Sequence, residues 1–289
     1  MEFRTVVDIA KPDFEIQPCE PVLFVGSCFA DEIGRRFEDE GFPTVINPYG
    51  TMYNPVSILH TLERYEGTPG LVFITLGTNH VYRLKETGEI VDNCEKRPQR
   101  LFQEEELTVE QCCEVLQQCV ALLQQRNAAV RIVFTVSPIR YRKYGYHESQ
   151  LSKATLLLAV ARLTSAPLNR AREPLGTGTP VPPHPRTPAP LYPHYFPAYE
   201  IVMDELRDYR FYASDMLHPS QQAVDYIWER LVEHYFSAAA KQYLDEWRPL
   251  KQALAHRPFN PDSEEYRALM DKTLLKVAEL RKKYPTFAK

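Results

Sequence analysis

The sequence predicts an α/β fold in which a mainly parallel sheet is covered by helices on both faces. Short apolar runs rich in Val, Ile and Phe alternate with longer stretches of helical period, which is the pattern of such a fold. The chain has 289 residues, of which 44% are hydrophobic and 25% are charged. This length and composition allow one sizeable core with a small appendage.

Strand and helix alternate through the first part of the chain. Buried strands are predicted for the apolar runs PVLFV (21–25), FPTVI (42–46) and LVFITL (71–76). Helices are predicted between them, over 31–41 and 54–65. The alternation indicates parallel strands with helices on both faces.

The alternation continues after a polar stretch at 83–106, which is predicted to be a loop excursion. The later elements are a long helix (107–127), a fourth strand (130–137), a further helix (150–163), a weaker strand (208–213) and a last core helix that begins near Ser220. In parallel sheets the ligand crevice lies beyond the carboxyl ends of the strands. Chemistry is therefore expected in the loops at 26–30, 47–53, 77–82, 138–149 and 214–219.

Two segments stand apart from this core. Residues 166–197 are crowded with proline and are predicted to form a surface insertion, because proline neither continues a helix nor joins a sheet interior. Residues 237–289 are charged and helical in period. We therefore predict a core domain over 1–236 and a C-terminal helical extension over 237–289 that packs on it.

Composition limits the partners and the location of the protein. The net charge of −4, with no basic stripe, predicts no nucleic-acid partner. No apolar run approaches the ~20 residues of a membrane helix, and the N-terminus lacks the apolar core of a signal peptide, so we expect a soluble, cytoplasmic protein. The six cysteines include no CxxC pair, so no metal site, cofactor or disulfide framework is predicted. Nothing in the sequence indicates an oligomeric state.

A candidate nucleophile follows the first strand, in LFVGSCFADEIG. Ser27 is at a strand-to-helix junction, where the backbone N–H groups of the helix start face any oxyanion formed there. The alternative is that Ser27 merely caps the helix. Cys28 is a rival, because a thiol at a helix start has a lowered pKa. If Cys28 faced His218, the candidate base described next, the protein would be a cysteine hydrolase.

A candidate acid and base pair lies in SDMLHPS, near the end of the core. Asp215 and His218 are three residues apart, so one turn can aim both side chains the same way. The aspartate would hold the imidazole through Nδ1, leaving Nε2 to accept a proton from a nucleophile. The alternative is an Asx turn with an exposed histidine.

Candidate oxyanion donors follow the second and third strands. Gly50 in NPYGTMYNP could present a backbone N–H, and Asn79 in LGTNHVY could present its side-chain amide. For both, the alternative is a plain tight turn.

Taken together, the order Ser, Gly, Asn, Asp-x-x-His is the block pattern of the SGNH (GDSL-like) hydrolases. The sequence more specifically resembles the GSCFA family, which is named for the pentapeptide found here at 26–30. The supporting stretches lie at 46–58, 137–156, 195–212 and 215–220.

The resemblance implies a flavodoxin-like, three-layer α/β/α SGNH core. It implies Ser27 as nucleophile, His218 as base and Asp215 as orienting carboxylate, with an oxyanion hole formed by the Ser27 N–H, the Gly50 N–H and the Asn79 side chain. Two departures stand out. The nucleophile block has Ser-Cys where G-D-S is usual, so its serine is shifted by one position, and His80 replaces the usual aspartate of the third block.

The expected activity is that of a serine esterase, working through an acyl-enzyme on a small or carbohydrate-type ester. An acyltransferase with a sugar acceptor and a catalytically silent binding protein are the alternatives. Arg140, His147 and Gln150 are predicted to bind substrate from the wall of the pocket. Tyrosines in the same loops would stack on sugar rings. A solvated loop is the alternative for these charges.

Overall fold

The computed structural model describes residues 4–92, 97–164 and 192–289. Its centre is a sheet of five parallel strands, which are β1 (Val22–Gly26), β2 (Thr44–Ile46), β3 (Leu71–Leu76), β7 (Arg131–Val136) and β8 (His194–Tyr195). Their order in the sheet is β2-β1-β3-β7-β8. Without the excursion between β3 and β7 this is the order 2-1-3-4-5 of flavodoxin-like folds.

The central strands are buried along their whole length. Every residue of β1 and of β3 is buried, which explains why both read as continuous apolar runs. Gly26 ends β1 beside Thr75, with φ of +136°. A Cβ added at Gly26 would lie 2.1 Å from Thr75 O, so glycine lets the two backbones approach where β1 turns into the next helix.

Helices cover both faces of the sheet and fill two hydrophobic clusters. These helices are α1 (Cys28–Asp39), α2 (Pro55–Arg64), α3 (Val109–Arg126), α4 (Tyr146–Thr164) and α5 (Gln221–Tyr235). One face is packed by α1 and α5, and the other by α2, α3 and α4. The predicted α/β fold of three layers is confirmed.

The predicted excursion at 83–106 contains a small sheet of its own. Strands β4 (His80–Leu84), β5 (Ile90–Val91) and β6 (Phe102–Glu106) are antiparallel, in the order β5-β4-β6. The first of them begins directly after the loop that ends β3, so this sheet borders the carboxyl edge of the main one.

The fifth strand of the main sheet is not the one predicted. The strand predicted at 208–213 is wrong, because Tyr209–Phe211 forms a 3₁₀ turn there. The fifth strand is the two-residue β8, whose register pairs Val133 with His194. It lies within the proline-rich stretch 166–197, whose composition obscured it. The part of that stretch at 166–191 lies outside the described residues.

Two further helices, α6 (Ala238–Ala255) and α7 (Glu264–Lys283), follow the core. Trp247 Nε1 donates to Asp39 O at 3.2 Å, and the Tyr243 hydroxyl donates to Glu40 O. The extension therefore packs against the end of α1, while a domain boundary at 236 remains a prediction. Within the described ranges, no helix is both long enough and apolar enough to cross a membrane.

Candidate functional site

Loops from the carboxyl ends of several strands meet at one edge of the sheet. Asn47, after β2, accepts the N–H of Gly26 at 2.8 Å and donates to Asp31 of α1 at 3.0 Å. Thr51 adds a second hydrogen bond to Asp31 at 3.2 Å. These contacts fix the β2–α2 loop against the turn between β1 and α1, which carries the predicted nucleophile.

Ser27 is a buried helix cap. Its Oγ accepts the N–H of Phe29 at 3.3 Å and is hydrogen-bonded to Thr75 Oγ1 at 3.0 Å. Its own N–H donates to Thr75 O at 3.0 Å, and the residue is only 1% exposed. The hydroxyl therefore faces β3, and the interpretation of Ser27 as a cap agrees with this geometry.

Cys28, the first residue of α1, is the side chain that contacts the histidine. Its Sγ lies 3.5 Å from His218 Nε2, and it is partly buried. Burial, and then interaction with the Cys28 thiol, raise the pKa of the nearby Tyr53 hydroxyl to about 12. G-S-C has a cysteine where the G-D-S motif has its serine, and this departure, which was interpreted as a shift of the serine, is the one sequence feature that agrees with the contact.

Asp215 and His218 form the pair predicted from their spacing. Asp215 Oδ2 lies 2.5 Å from His218 Nδ1, while Oδ1 accepts the N–H groups of Leu217 and His218 at 2.9 and 3.0 Å. These backbone donors, led by the N–H of His218, and then the imidazole lower the pKa of Asp215 to about 2. An ionised Asp215 can accept a hydrogen bond from Nδ1–H of His218, which leaves the lone pair of Nε2 free to take the thiol proton.

The thiol of Cys28 is a weak acid in the resting site. Burial is the main cause that raises its pKa, and the carboxylates of Asp31 and Glu32 raise it further. Its own backbone N–H and the ammonium of Lys153 act in the opposite direction. The thiolate therefore needs a base, and His218 is in contact to serve as one.

The three predicted oxyanion donors each have another partner. The Ser27 N–H donates to Thr75 O, and the Gly50 N–H donates to Asn47 O at 2.8 Å. Asn79 Nδ2 donates to Leu107 O at 2.8 Å, which uses one of the two N–H groups of its amide. The Tyr53 hydroxyl interacts with the Cys28 thiol, and that hydroxyl was not among the residues predicted for the site.

The predicted substrate-binding residues occupy different places. Arg140 borders the loop of His218: its N–H donates to Leu217 O at 3.0 Å and its NH1 to Met216 O at 3.1 Å. Gln150 accepts a hydrogen bond from the Tyr199 hydroxyl, and His147 is exposed near the start of α4. Of the three, Arg140 is thus the one with direct bonds to the loop of the candidate base.

A row of aromatic rings leads away from the thiol. The ring centroids of Tyr53 and Tyr141 are 6.1 Å apart, and those of Tyr141 and Tyr144 are 5.4 Å apart. Tyr144 stacks on His80 at 3.8 Å, and burial lowers the pKa of that histidine. His80, which replaces the usual aspartate, therefore belongs to an aromatic wall. In the part of the chain that the structure describes, no group of His, Cys, Asp and Glu could hold a metal ion.

Solved structures similar to this chain include several esterases. A protein from Parabacteroides merdae, provisionally described as a GDSL-like lipase, is 11% identical, with a TM-score of 0.47 over 78% of this chain and 99% of that one. A variant of an acetyl-xylooligosaccharide esterase from Geobacillus Stearmophilus is 11% identical, with a TM-score of 0.42 over 78% and 98%. A carbohydrate esterase of family 3 from Talaromyces cellulolyticus is 10% identical, with a TM-score of 0.39 over 78% and 99%.

Family profiles match most of the sequence. No curated protein matches it. The profile of the GSCFA family matches residues 21–70 and 67–231, which include the turn of Cys28 and the loop of His218. The profile described as the GSCFA domain protein, C-terminal domain, matches residues 247–288. The chain therefore belongs to the GSCFA family.

Proposed function

We propose that the protein is an acyl-transfer enzyme that hydrolyses esters, with Cys28 as nucleophile, His218 as general base and Asp215 as the carboxylate that orients it. The observation that carries this proposal is the distance of 3.5 Å between Cys28 Sγ and His218 Nε2, with Asp215 2.5 Å from the other ring nitrogen. A nucleophile, a base and a third group that orients the base are the parts that covalent acyl transfer requires.

The proposal transfers the role expected of Ser27 to its neighbour. The Ser27 hydroxyl is bound to Thr75 and to the first turn of α1, and it is 1% exposed. Using it as nucleophile would break the cap and turn a buried side chain toward His218. Cys28 needs no such rearrangement, because its thiol already contacts the ring.

In the first step, His218 Nε2 takes the thiol proton, and Cys28 Sγ attacks the ester carbonyl carbon. The carbonyl π bond opens to an oxyanion, and we assign its stabilisation to the Cys28 N–H at the start of α1 and to the nearby Tyr53 hydroxyl. When the oxyanion collapses, the carbon–oxygen bond to the alcohol breaks, and His218 protonates the departing alcohol. A thioester on Cys28 remains.

In the second step, His218 takes a proton from water, and the hydroxide attacks the thioester carbon. The carbon–sulfur bond breaks, His218 returns its proton to the leaving thiolate, and the products are a carboxylic acid and the regenerated thiol. A sugar hydroxyl in place of water would make the same site an acyltransferase. The aromatic row from Tyr53 to Tyr144 supports a carbohydrate-type ester, because ring faces stack on apolar surfaces.

The test is to identify the residue that carries the acyl group. Wild type, Cys28→Ala and Ser27→Ala are incubated with an aryl acetate and with acetylated xylose, and the peptides are analysed by mass spectrometry at acidic pH. We expect acetyl on Cys28, hydrolysis that is lost in Cys28→Ala, and hydrolysis that persists in Ser27→Ala. Adding free xylose to the reaction separates hydrolysis from transfer. An acetyl group on Ser27, or activity that survives Cys28→Ala, would refute the proposal.

A further inference from the structure

A cavity of about 240 Å³ borders the loop that carries His218, and the reaction described above does not use it. We call it the Arg140 cavity. It is smaller than the ~300–1,000 Å³ of sites for drug-sized ligands, so it suits a single ring or small group. Its polar lining residues are Arg140, Gln150, Arg207, Asp208, Tyr209 and Tyr212.

Two of the lining residues are bound to the loop of the candidate base. The N–H of Arg140 donates to Leu217 O at 3.0 Å. Tyr212 pairs with Pro219 in an isolated antiparallel bridge. Leu217 and Pro219 are the neighbours of His218 in the chain, so the cavity is anchored on both sides of the residue that would transfer the proton.

Aromatic rings surround the guanidinium group of Arg140. Its Cζ lies 4.2 Å from the ring centroid of Tyr146, 5.3 Å from that of Tyr212 and 6.0 Å from that of Tyr209. The rings attract the positive charge, but they do not supply the oxygen acceptors that its N–H donors bind. One of these donors is bound to Met216 O at 3.1 Å. The remaining donors of Arg140 can therefore bind an oxygen of a ligand.

The charge of the lining is positive. Two guanidinium groups, those of Arg140 and Arg207, face one carboxylate, that of Asp208. Asp208 accepts the N–H of Arg210 at 2.9 Å, and its other oxygen lies 3.9 Å from Arg210 Nε. Among the residues that the structure describes, no carboxylate forms an ion pair with Arg140. The excess of one positive charge matches the single negative charge of a carboxylate.

We propose that the Arg140 cavity is a substrate subsite for a sugar acid, in which Arg140 binds the carboxylate while Tyr209 and Tyr212 contact the sugar ring. The inference rests on the proposed function, because it places the sugar acid in the alcohol part of the ester that Cys28 and His218 cleave. Guanidinium and carboxylate form paired hydrogen bonds, and aromatic faces pack on the apolar faces of sugars. A neutral sugar would leave the charge of Arg140 unmatched.

The experiment compares peracetylated glucuronic acid with peracetylated xylose, which lacks the carboxylate. Steady-state kinetics at pH 7 gives kcat/KM for each ester, and the ratio of the two values measures the preference for the carboxylate. Wild type should prefer the glucuronate ester by about tenfold, since a hydrogen bond to a charged group contributes an effect of this size. In Arg140→Met the ratio should fall to about one.

Two further variants show whether the preference comes from the charge at this position. Arg140→Lys keeps the charge without the planar group, so it should retain part of the preference. Arg142→Met is the matched control, because it removes an arginine of the same loop that is not among the described lining residues. It should keep the wild-type ratio.

The ratio also separates binding from a merely structural role of Arg140. If Arg140 only held the loop of His218, Arg140→Met would slow both esters equally and leave the ratio unchanged. An unchanged ratio in folded Arg140→Met, or a wild-type ratio near one, would overturn the inference. Circular dichroism establishes folding, and Arg140→Gln takes the place of Arg140→Met if that variant does not fold.

Calorimetric titration of Cys28→Ala with free glucuronate and free xylose distinguishes this inference from the proposed function. We expect tighter binding of glucuronate, and the difference should disappear when Arg140→Met is added. That result, combined with a wild type that hydrolyses neither ester, would refute the proposed function alone. Hydrolysis of both esters with equal kcat/KM would refute the sugar-acid subsite alone.

Discussion

Two aspartate–histidine pairs of similar geometry lie in different regions of the molecule. Asp215 Oδ2 is 2.5 Å from His218 Nδ1 at the carboxyl edge of the main sheet. Asp92 Oδ1 is 2.7 Å from His60 Nδ1, between α2 and the small antiparallel sheet. In both pairs the carboxylate contacts the ring at Nδ1. The pair alone is therefore a poor guide to catalysis.

The difference lies in what surrounds each pair. His218 Nε2 faces the Cys28 thiol, whereas the second oxygen of Asp92 accepts a hydrogen bond from Arg64 NH2 at 2.6 Å. The described residues that line the cavity beside His60 include no serine, threonine or cysteine. The thiol beside Nε2 therefore distinguishes the candidate catalytic pair from the pair of His60 and Asp92, whose contacts are structural.

Substitution of each histidine by alanine tests most directly whether the two pairs differ in function. His218→Ala should lower kcat/KM for an aryl ester by about 10³-fold, because a positioned general base contributes on the order of 10²- to 10⁴-fold. His60→Ala, the matched control, should leave kcat/KM within about twofold of wild type, as expected of a surface substitution away from the site. Steady-state kinetics checks both. If both variants lost kcat/KM equally, contact with the Cys28 thiol would not explain the difference between the two pairs.

Replacing each aspartate with asparagine tests the same difference between the Asp215–His218 pair and the Asp92–His60 pair. Asp215→Asn should lower kcat by about 10²-fold, since the amide cannot hold the Nδ1 proton as the carboxylate does, although the exposed pair is screened by water. Asp92→Asn should leave kcat unchanged and lower the melting temperature by a few degrees, because it weakens contacts to His60 and Arg64. A loss of kcat in Asp92→Asn without a change in stability would contradict this distinction.

Within the candidate site, Ser27→Ala tests whether the residue is a cap. Losing the hydrogen bond to the Phe29 N–H should lower the free energy of unfolding by about 1 kcal/mol, the usual effect at a helix N-cap. We expect kcat/KM to fall by less than about tenfold, an effect of geometry rather than of chemistry. Urea denaturation gives the first quantity and steady-state kinetics the second. A folded Ser27→Ala variant with no activity would favour Ser27 as nucleophile.

The fold was largely predictable because buried parallel strands read as continuous apolar runs. β3 begins and ends where the sequence analysis placed it. β8 was missed because two residues among prolines carry no apolar pattern, and only pairing with Val133 and Phe134 makes them a strand. A short edge strand depends on tertiary contacts, which local composition does not reveal.

The position of the candidate site was predictable, but the side chain that faces the histidine was not. The sequence places Ser27 and Cys28 on one tight turn, and it predicted Ser27 as the nucleophile with Cys28 as the rival. The choice depends on Thr75, which lies 48 residues along the chain from Ser27 and hydrogen-bonds its hydroxyl.

The smallest expected effect concerns acid stability. The pKa of Asp215 is lowered to about 2 in the folded protein, below the value of about 3.9 for an unfolded chain. The stabilisation of the folded protein by ionised Asp215 is therefore complete above pH 5, and it is lost as the pH falls toward 2. The melting temperature of wild type should exceed that of Asp215→Asn by about a degree above pH 5, and the difference should shrink by pH 3. Differential scanning calorimetry across this range checks the sign, and a difference that grows on acidification would show that the pKa of Asp215 is raised instead.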